Sequence, residues 1–70
     1  MKLSTRNRLT GTVTGVAKGE AVATVHIDCG GQQLVSSITR EAAEELGLRE
    51  GSRVTALIKA SDVMLATDFE

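Results

Sequence analysis

Apolar and polar residues alternate through the first half of this chain, which is typical of β-strands that bury one face. The alternation predicts strands over residues 9–16, 21–27 and 32–38. Glycines lie between them, at Gly19 and at Gly30-Gly31, and glycine tolerates the positive φ that tight turns require. We therefore expect the first two strands to form a hairpin and the third to follow a tight turn.

A short helix is predicted after the third strand. Thr39 can cap it through its hydroxyl, Glu41 lies in the first turn, where the helix dipole favours an anion, and Gly47 ends it. A helix of about two turns depends on packing rather than on intrinsic propensity. The residues expected to pack against the sheet are Ala42, Ala43 and Leu46.

Two further strands are predicted, over residues 53–59 and 63–67. Five short strands, with one helix between the third and the fourth, are typical of an all-β, OB-like antiparallel Greek-key barrel; an SH3-like barrel is the closest competitor. No linker or repeat divides the chain, so residues 1–70 are interpreted as a single domain. Leu57 and Ile58 lie on opposite faces of the fourth strand, so both faces of this strand are partly apolar. In a domain this small, we expect one of the two faces to contact another subunit.

Three glycines, Gly11, Gly15 and Gly19, are spaced four residues apart around the first strand. In an unbroken pleat they would share a face, together with Leu9 and Val13. Such glycines either let a second backbone approach closely or mark bends and bulges. We favour bends and bulges of a small barrel over a ligand-binding loop.

Composition excludes several classes of function. The formal net charge of −1 and the isoelectric point of about 5.8 provide no extended field for polyanions, so any anion recognition is local. Cys29 and His26 are the only residues of their types, which leaves no internal disulfide and no closed zinc site. The chain has no Trp or Tyr, which argues against a nucleic-acid-binding barrel that relies on aromatic stacking.

No catalytic motif is present, so we expect a binding protein rather than an enzyme. No apolar run approaches the roughly 20 residues that cross a membrane, and no signal peptide is recognisable. With a free thiol in addition, these features predict a cytoplasmic protein.

Two clusters of basic and hydroxyl side chains lie near opposite ends of the chain, Ser4-Thr5-Arg6-Asn7 and Lys59-Ala60-Ser61. Each offers a fixed positive charge, a hydroxyl donor and backbone N–H groups. A tetrahedral dianion needs these groups, because it only accepts hydrogen bonds. Taken singly, a basic N-terminal segment or a strand-terminal lysine is more often simply solvated, but together the clusters predict one anion site.

The two clusters belong to a longer pattern, made of residues 4–13, Gly19, Ile38-Thr39, Leu46, Leu48, Gly51 and residues 54–66. Over this pattern the chain closely resembles the molbindin (Mop) family, small molybdate-binding proteins related to the TOBE domains of molybdate transport ATPases and regulators. The motifs S-x-R-N and K-A-S are specific when they occur together at this separation.

The resemblance implies a cytoplasmic homohexamer, a trimer of dimers whose subunits exchange strand edges and bind molybdate between them, with tungstate competing. It also implies oxyanion sites on the three-fold axes, which the sequence does not place. No organic cofactor, metal-ion site, nucleic acid or membrane is implied. The implied anion-binding residues are Ser4, Thr5 and Arg6 from one subunit and Lys59, Ala60 and Ser61 from its neighbour, with Ile38 and Thr39 nearby. Relatives often carry Ala where this chain has Thr5.

The function expected from this resemblance is intracellular binding, storage and homeostasis of molybdate. The alternative is a structural or regulatory oligomerisation module of TOBE type without physiological anion binding.

Overall fold

The computed structural model describes residues 6–67. Its elements are β1 (Asn7–Lys18), β2 (Val22–Cys29), β3 (Gln32–Thr39), α1 (Arg40–Glu45), β4 (Arg53–Ile58) and a short 3₁₀ turn (Ala60–Asp62). The strands form one antiparallel sheet in the order β3-β2-β1-β4. In this order the first three strands are neighbours in sequence and the fourth returns to lie beside the first, which is the Greek-key arrangement. The prediction of a mostly-β Greek-key fold with one short helix is confirmed.

A β-bulge divides β1. Val13 pairs with Ile27 but Gly15 pairs with His26, so one extra residue lies between them on β1. The bulge reverses the inward and outward alternation, and Val16 therefore packs against the core on the same side as Val13. The prediction of a bulge at a glycine of this strand is confirmed. In an unbroken pleat the alternation would place Val16 on the face opposite to Val13, and that expectation from the sequence is wrong because of the bulge.

Gly11 has a different role from Gly15. A Cβ atom at position 11 would lie 2.6 Å from the backbone oxygen of Asp28 and 2.7 Å from the Sγ of Cys29, whereas a Cβ at position 15 would meet nothing within 4 Å. Gly11 thus allows β1 and the end of β2 to approach closely, which is the first of the two uses predicted for these glycines.

The core is small. Its buried apolar side chains are Val13, Ala23, Val25, Ile27 and Ala43. Partly buried Leu48 and Val54 pack around them. Since Ala23, Val25 and Ile27 alternate along β2, the predicted inward face of this strand is confirmed.

Helix α1 begins as predicted, because the backbone N–H of Ala42 donates to the hydroxyl oxygen of Thr39 at 3.0 Å. The chain leaves the helix through Gly47, whose φ of 64° is the left-handed conformation typical of a helix end. Ala43 is fully buried, but the prediction that Leu46 packs on the sheet was wrong, because this residue is 69% exposed. The helix ends at Glu45, and Leu48 reaches the core in its place.

Arg40 ties the start of α1 to the turn between β1 and β2. Its backbone N–H donates to the oxygen of Ala21 at 2.9 Å, and its guanidinium donates to the oxygen of Gly19 at 3.2 Å and to Glu44 at 3.0 Å. The end of β3, where Thr39 lies, is therefore held against the first hairpin.

The predicted fifth strand is absent from the described chain. Residues 63–67 contain no strand, and the side chains of Met64 and Leu65 are 92% and 93% exposed. A strand needs an edge that supplies hydrogen bonds, and this segment pairs with none of the described strands. Across residues 6–67 the sheet consequently remains open between β3 and β4.

The open seam forms an apolar groove of about 520 Å³ between β3 and β4. We call it the seam groove. Its lining includes Leu34, Ser36 and Ile38 from β3 and Val54, Ala56 and Ile58 from β4.

Candidate functional site

The β1–β4 ladder brings the two predicted anion-binding clusters to one end of the sheet. Asn7 pairs with Ile58, so Arg6 and Lys59 are the first residues beyond the same end of this antiparallel ladder. The side-chain amide of Asn7 also donates to the backbone oxygen of Ile58 at 3.1 Å. Residues more than fifty positions apart are thus held together at the surface. Ser4 and Thr5 lie outside the described residues.

The second cluster is shaped by the 3₁₀ turn that follows β4. The backbone N–H of Asp62 donates to the oxygen of Lys59 at 2.9 Å, and that of Val63 to the oxygen of Ala60 at 3.3 Å. At the beginning of such a turn the first N–H groups have no partner within the turn. Within residues 6–67 the N–H groups of Ala60 and Ser61 donate to no acceptor, and both residues are exposed. These two amides can therefore donate to a bound ligand.

Arg6 and Lys59 place two positive charges at this end of the sheet. Over the described chain the salt bridge is that between Arg40 and Glu44, and Arg6 and Lys59 are exposed and take part in none. Two neighbouring cations repel each other, and an anion that binds between them removes this repulsion. An arginine side chain adds a planar fork of donors that matches an oxyanion.

Ile38 and Thr39 lie on another part of the sheet. Thr39 pairs with Val22, close to the end of β1 opposite to Asn7. Ile38 nevertheless lines the seam groove together with Ile58, the residue immediately before Lys59. Thr39 accepts a hydrogen bond from α1 through its hydroxyl oxygen, and its O–H remains able to donate. Within one chain, the seam groove therefore separates Ile38 and Thr39 from Arg6 and Lys59.

Two residues have a role at this site that the sequence did not indicate. Asn7, the last residue of the first cluster, bridges to β4 through its side-chain amide, and a contact over this separation has no local signal. Asp62 directly follows Ser61, and this adjacency to the K-A-S motif was a signal that a carboxylate lies beside the cluster.

Other kinds of site find no support in the described part of the chain. Over residues 6–67 no three His, Cys, Asp or Glu side chains are grouped so as to hold a metal ion. Among these same residues, no helix has the length and apolarity to cross a membrane. His26 and Cys29 are both partly buried in β2.

Comparison with known proteins gives consistent matches. The model of the TOBE domain family matches residues 3–65. Molybdenum-pterin-binding protein 1 of Clostridium pasteurianum is 44% identical over 93% of this chain and 97% of its own length. The structure of a molybdate-binding protein from Sporomusa ovata superposes with a TM-score of 0.92, at 39% identity, and covers 96% of this chain and 100% of that one.

A third match is a solved structure of the cytoplasmic molybdate-binding protein ModG with molybdate bound, which superposes with a TM-score of 0.82 at 36% identity. It covers 93% of this chain, and this chain spans 53% of that one. All three similar proteins are described as binding molybdenum compounds, and none is described as an enzyme.

Proposed function

The chain belongs to the TOBE domain family, as its resemblance to the molbindins predicted, and from this premise we propose that it binds molybdate and stores it in the cytoplasm. One observation carries the proposal: the β1–β4 ladder places Arg6 and Lys59, both without a salt-bridge partner in the described chain, beside the free N–H groups of Ala60 and Ser61. The cytoplasmic location is supported by the free thiol of Cys29 and by the description of the similar protein ModG.

The chemistry of the ligand fits these groups. Molybdate is a tetrahedral dianion that only accepts hydrogen bonds, and Arg6, Lys59, Ser61 and the two amides supply hydrogen-bond donors and positive charge. Tungstate has the same shape and charge, and we expect it to compete. No step of bond making or breaking is needed, so the proposed protein is a binding protein and not an enzyme.

We place the complete site between subunits of a homohexamer built as a trimer of dimers. Ser4, Thr5 and Arg6 would donate from one subunit and Lys59, Ala60 and Ser61 from its neighbour, with Ile38 and Thr39 nearby. Arg6 and Lys59 lie beyond the same end of the β1–β4 ladder in one chain, and a two-fold axis at that end would set each Arg6 beside the Lys59 of the other copy.

The apolar surface supports the proposed assembly. Met64 and Leu65 are almost fully exposed beyond β4, while the seam groove lacks the strand that would close the barrel. We propose that residues 63–67 of one subunit pair along the seam groove of another. Leu57 and Val35, 50% and 61% exposed, add apolar area that a monomer would leave in water.

Isothermal titration of the purified oligomer with molybdate, in the presence and absence of sulfate, tests the proposal. We expect tight binding of about one anion or slightly more per chain, little affected by sulfate. Arg6→Ala and Lys59→Ala should abolish binding and leave the oligomer assembled. Arg49→Ala is the matched control, because Arg49 is also exposed and forms no salt bridge within residues 6–67.

The alternative function, an oligomerisation module whose anion site has no role, is favoured by the same exposed apolar segment, because Met64 and Leu65 would drive assembly without any ligand. A folded hexamer that releases no heat with molybdate, and whose stability Arg6→Ala leaves unchanged, would establish this alternative and contradict storage.

A further inference from the structure

The carboxylate of Asp62 lies beside the candidate anion site, on the turn that presents it. Asp62 ends the 3₁₀ turn and is tied to Lys59 by the 2.9 Å hydrogen bond between its N–H and the lysine carbonyl. Lys59 caps the turn with extended backbone, and the turn itself consists of Ala60, Ser61 and Asp62. The carboxylate of Asp62 is therefore carried on the same short turn as the two amides and the Ser61 hydroxyl that the anion needs.

Nothing in the described chain neutralises this carboxylate. Over residues 6–67 Asp62 forms no salt bridge, not even with Lys59, and it is exposed. An anion bound by Lys59, Ala60 and Ser61 would therefore be repelled by this charge, with the repulsion reduced by the intervening water.

We propose that Asp62 sets the affinity of this site by repelling the bound dianion, so that the protein releases molybdate more readily than a site without the carboxylate would. The inference rests on the proposed function and assigns a role to a residue outside the anion-binding set. A storage protein must release its ligand. A fixed negative charge beside the site weakens binding without removing any of the hydrogen-bond donors of the site.

The size of the effect follows from the separation. If the carboxylate and the bound anion are about 7 Å apart, Coulomb's law in water gives about a threefold change in affinity per ligand charge. Removing the charge of Asp62 should then tighten the binding of a monoanion about threefold and that of a dianion roughly sevenfold. This ratio distinguishes repulsion from a change of shape, which would alter both affinities alike.

The test is calorimetric titration of the intact oligomer, at about 10 mM salt so that screening is weak. Asp62→Asn should bind molybdate roughly sevenfold more tightly and perrhenate, a tetrahedral monoanion, about threefold more tightly. The gain should shrink at about 0.5 M salt. Asp62→Glu keeps the charge and should behave as wild type. Glu50→Gln, which removes a charge from an exposed turn outside the site, should also leave the affinity unchanged.

Each result has a definite meaning. If wild type binds molybdate and Asp62→Asn binds it no more tightly, or gains equally for both anions, the role of Asp62 is refuted while the anion site stands. An equal gain in Glu50→Gln would attribute the effect to net charge and refute it as well. If wild type itself binds no molybdate, the proposed function fails and this inference fails with it.

Discussion

Replacing Gly11 with Ala tests the close approach of β1 to the end of β2. The new methyl group would lie 2.6 Å from the backbone oxygen of Asp28, 2.7 Å from the Sγ of Cys29 and 2.7 Å from the Cγ2 of Ile27. Real contacts of this kind are never so short, so something must shift. The nearest atom belongs to the backbone that enters the turn between β2 and β3, and a side-chain rotation cannot relieve the clash.

Overpacking in a folded core costs about 1–3 kcal/mol, and a clash with backbone belongs at the upper end of that range. Alanine also lowers the conformational entropy of the unfolded chain, which stabilises the folded state by about 0.4–1 kcal/mol. We therefore expect Gly11→Ala to lower the free energy of unfolding by about 2 kcal/mol. Gly15→Ala is the matched control in the same strand, because a Cβ there meets nothing within 4 Å. It should be neutral or stabilising by up to about 1 kcal/mol.

Urea denaturation at one fixed protein concentration measures both variants, since the stability of the proposed oligomer would depend on concentration. With a slope of about 1 kcal/mol per molar urea, Gly11→Ala should move the midpoint down by about 2 M. Adding Cys29→Ala should restore only part of this loss, because the oxygen of Asp28 remains. A Gly11→Ala protein as stable as wild type, or a Gly15→Ala protein that loses as much, would refute this account of the strand.

Two further outcomes are expected from the helix cap and from the exposed C-terminal segment. Thr39→Ala removes the hydroxyl that accepts a hydrogen bond from the N–H of Ala42, and it should lower the free energy of unfolding by about 1 kcal/mol in the same urea assay. Thr39→Ser keeps a hydroxyl and should retain most of the stability. Equal losses in both variants would contradict the capping role. Met64→Glu with Leu65→Glu should dissociate the proposed hexamer into smaller folded species by light scattering, because charged side chains cannot enter the seam groove. A variant that remains hexameric would refute the pairing of residues 63–67 with that groove.

The sequence predicted one anion site from two clusters, but not the contacts that bring the clusters together. The groups of Arg6 and Lys59 are readable from the sequence, because charge and donor count belong to the residue types. Their position at one end of the β1–β4 ladder is decided by the pairing of Asn7 with Ile58, a contact that no local pattern contains. The assignment of the two clusters to different subunits, and the parts played by Ser4 and Thr5, stay predictions.

The sequence by itself determined the features that depend on near neighbours. Alternation along β2, the cap at Thr39 and the turn at Gly47 are set by residues within a few positions, and the structure contains all three. Such features follow from the allowed backbone conformations and from donors and acceptors that lie close along the chain.

Only the tertiary structure decided the features that depend on distant partners. The bulge that turns Val16 inward exists because β1 must match β2 before and after it. A glycine is required at position 11 because residues 27–29 of β2 lie too close for a Cβ atom. Residues 63–67 form no strand because neither open edge of the sheet pairs with them. Alternation marks a segment as suited to a strand, but a strand forms only when another edge supplies its hydrogen bonds, and that edge is chosen by the whole fold.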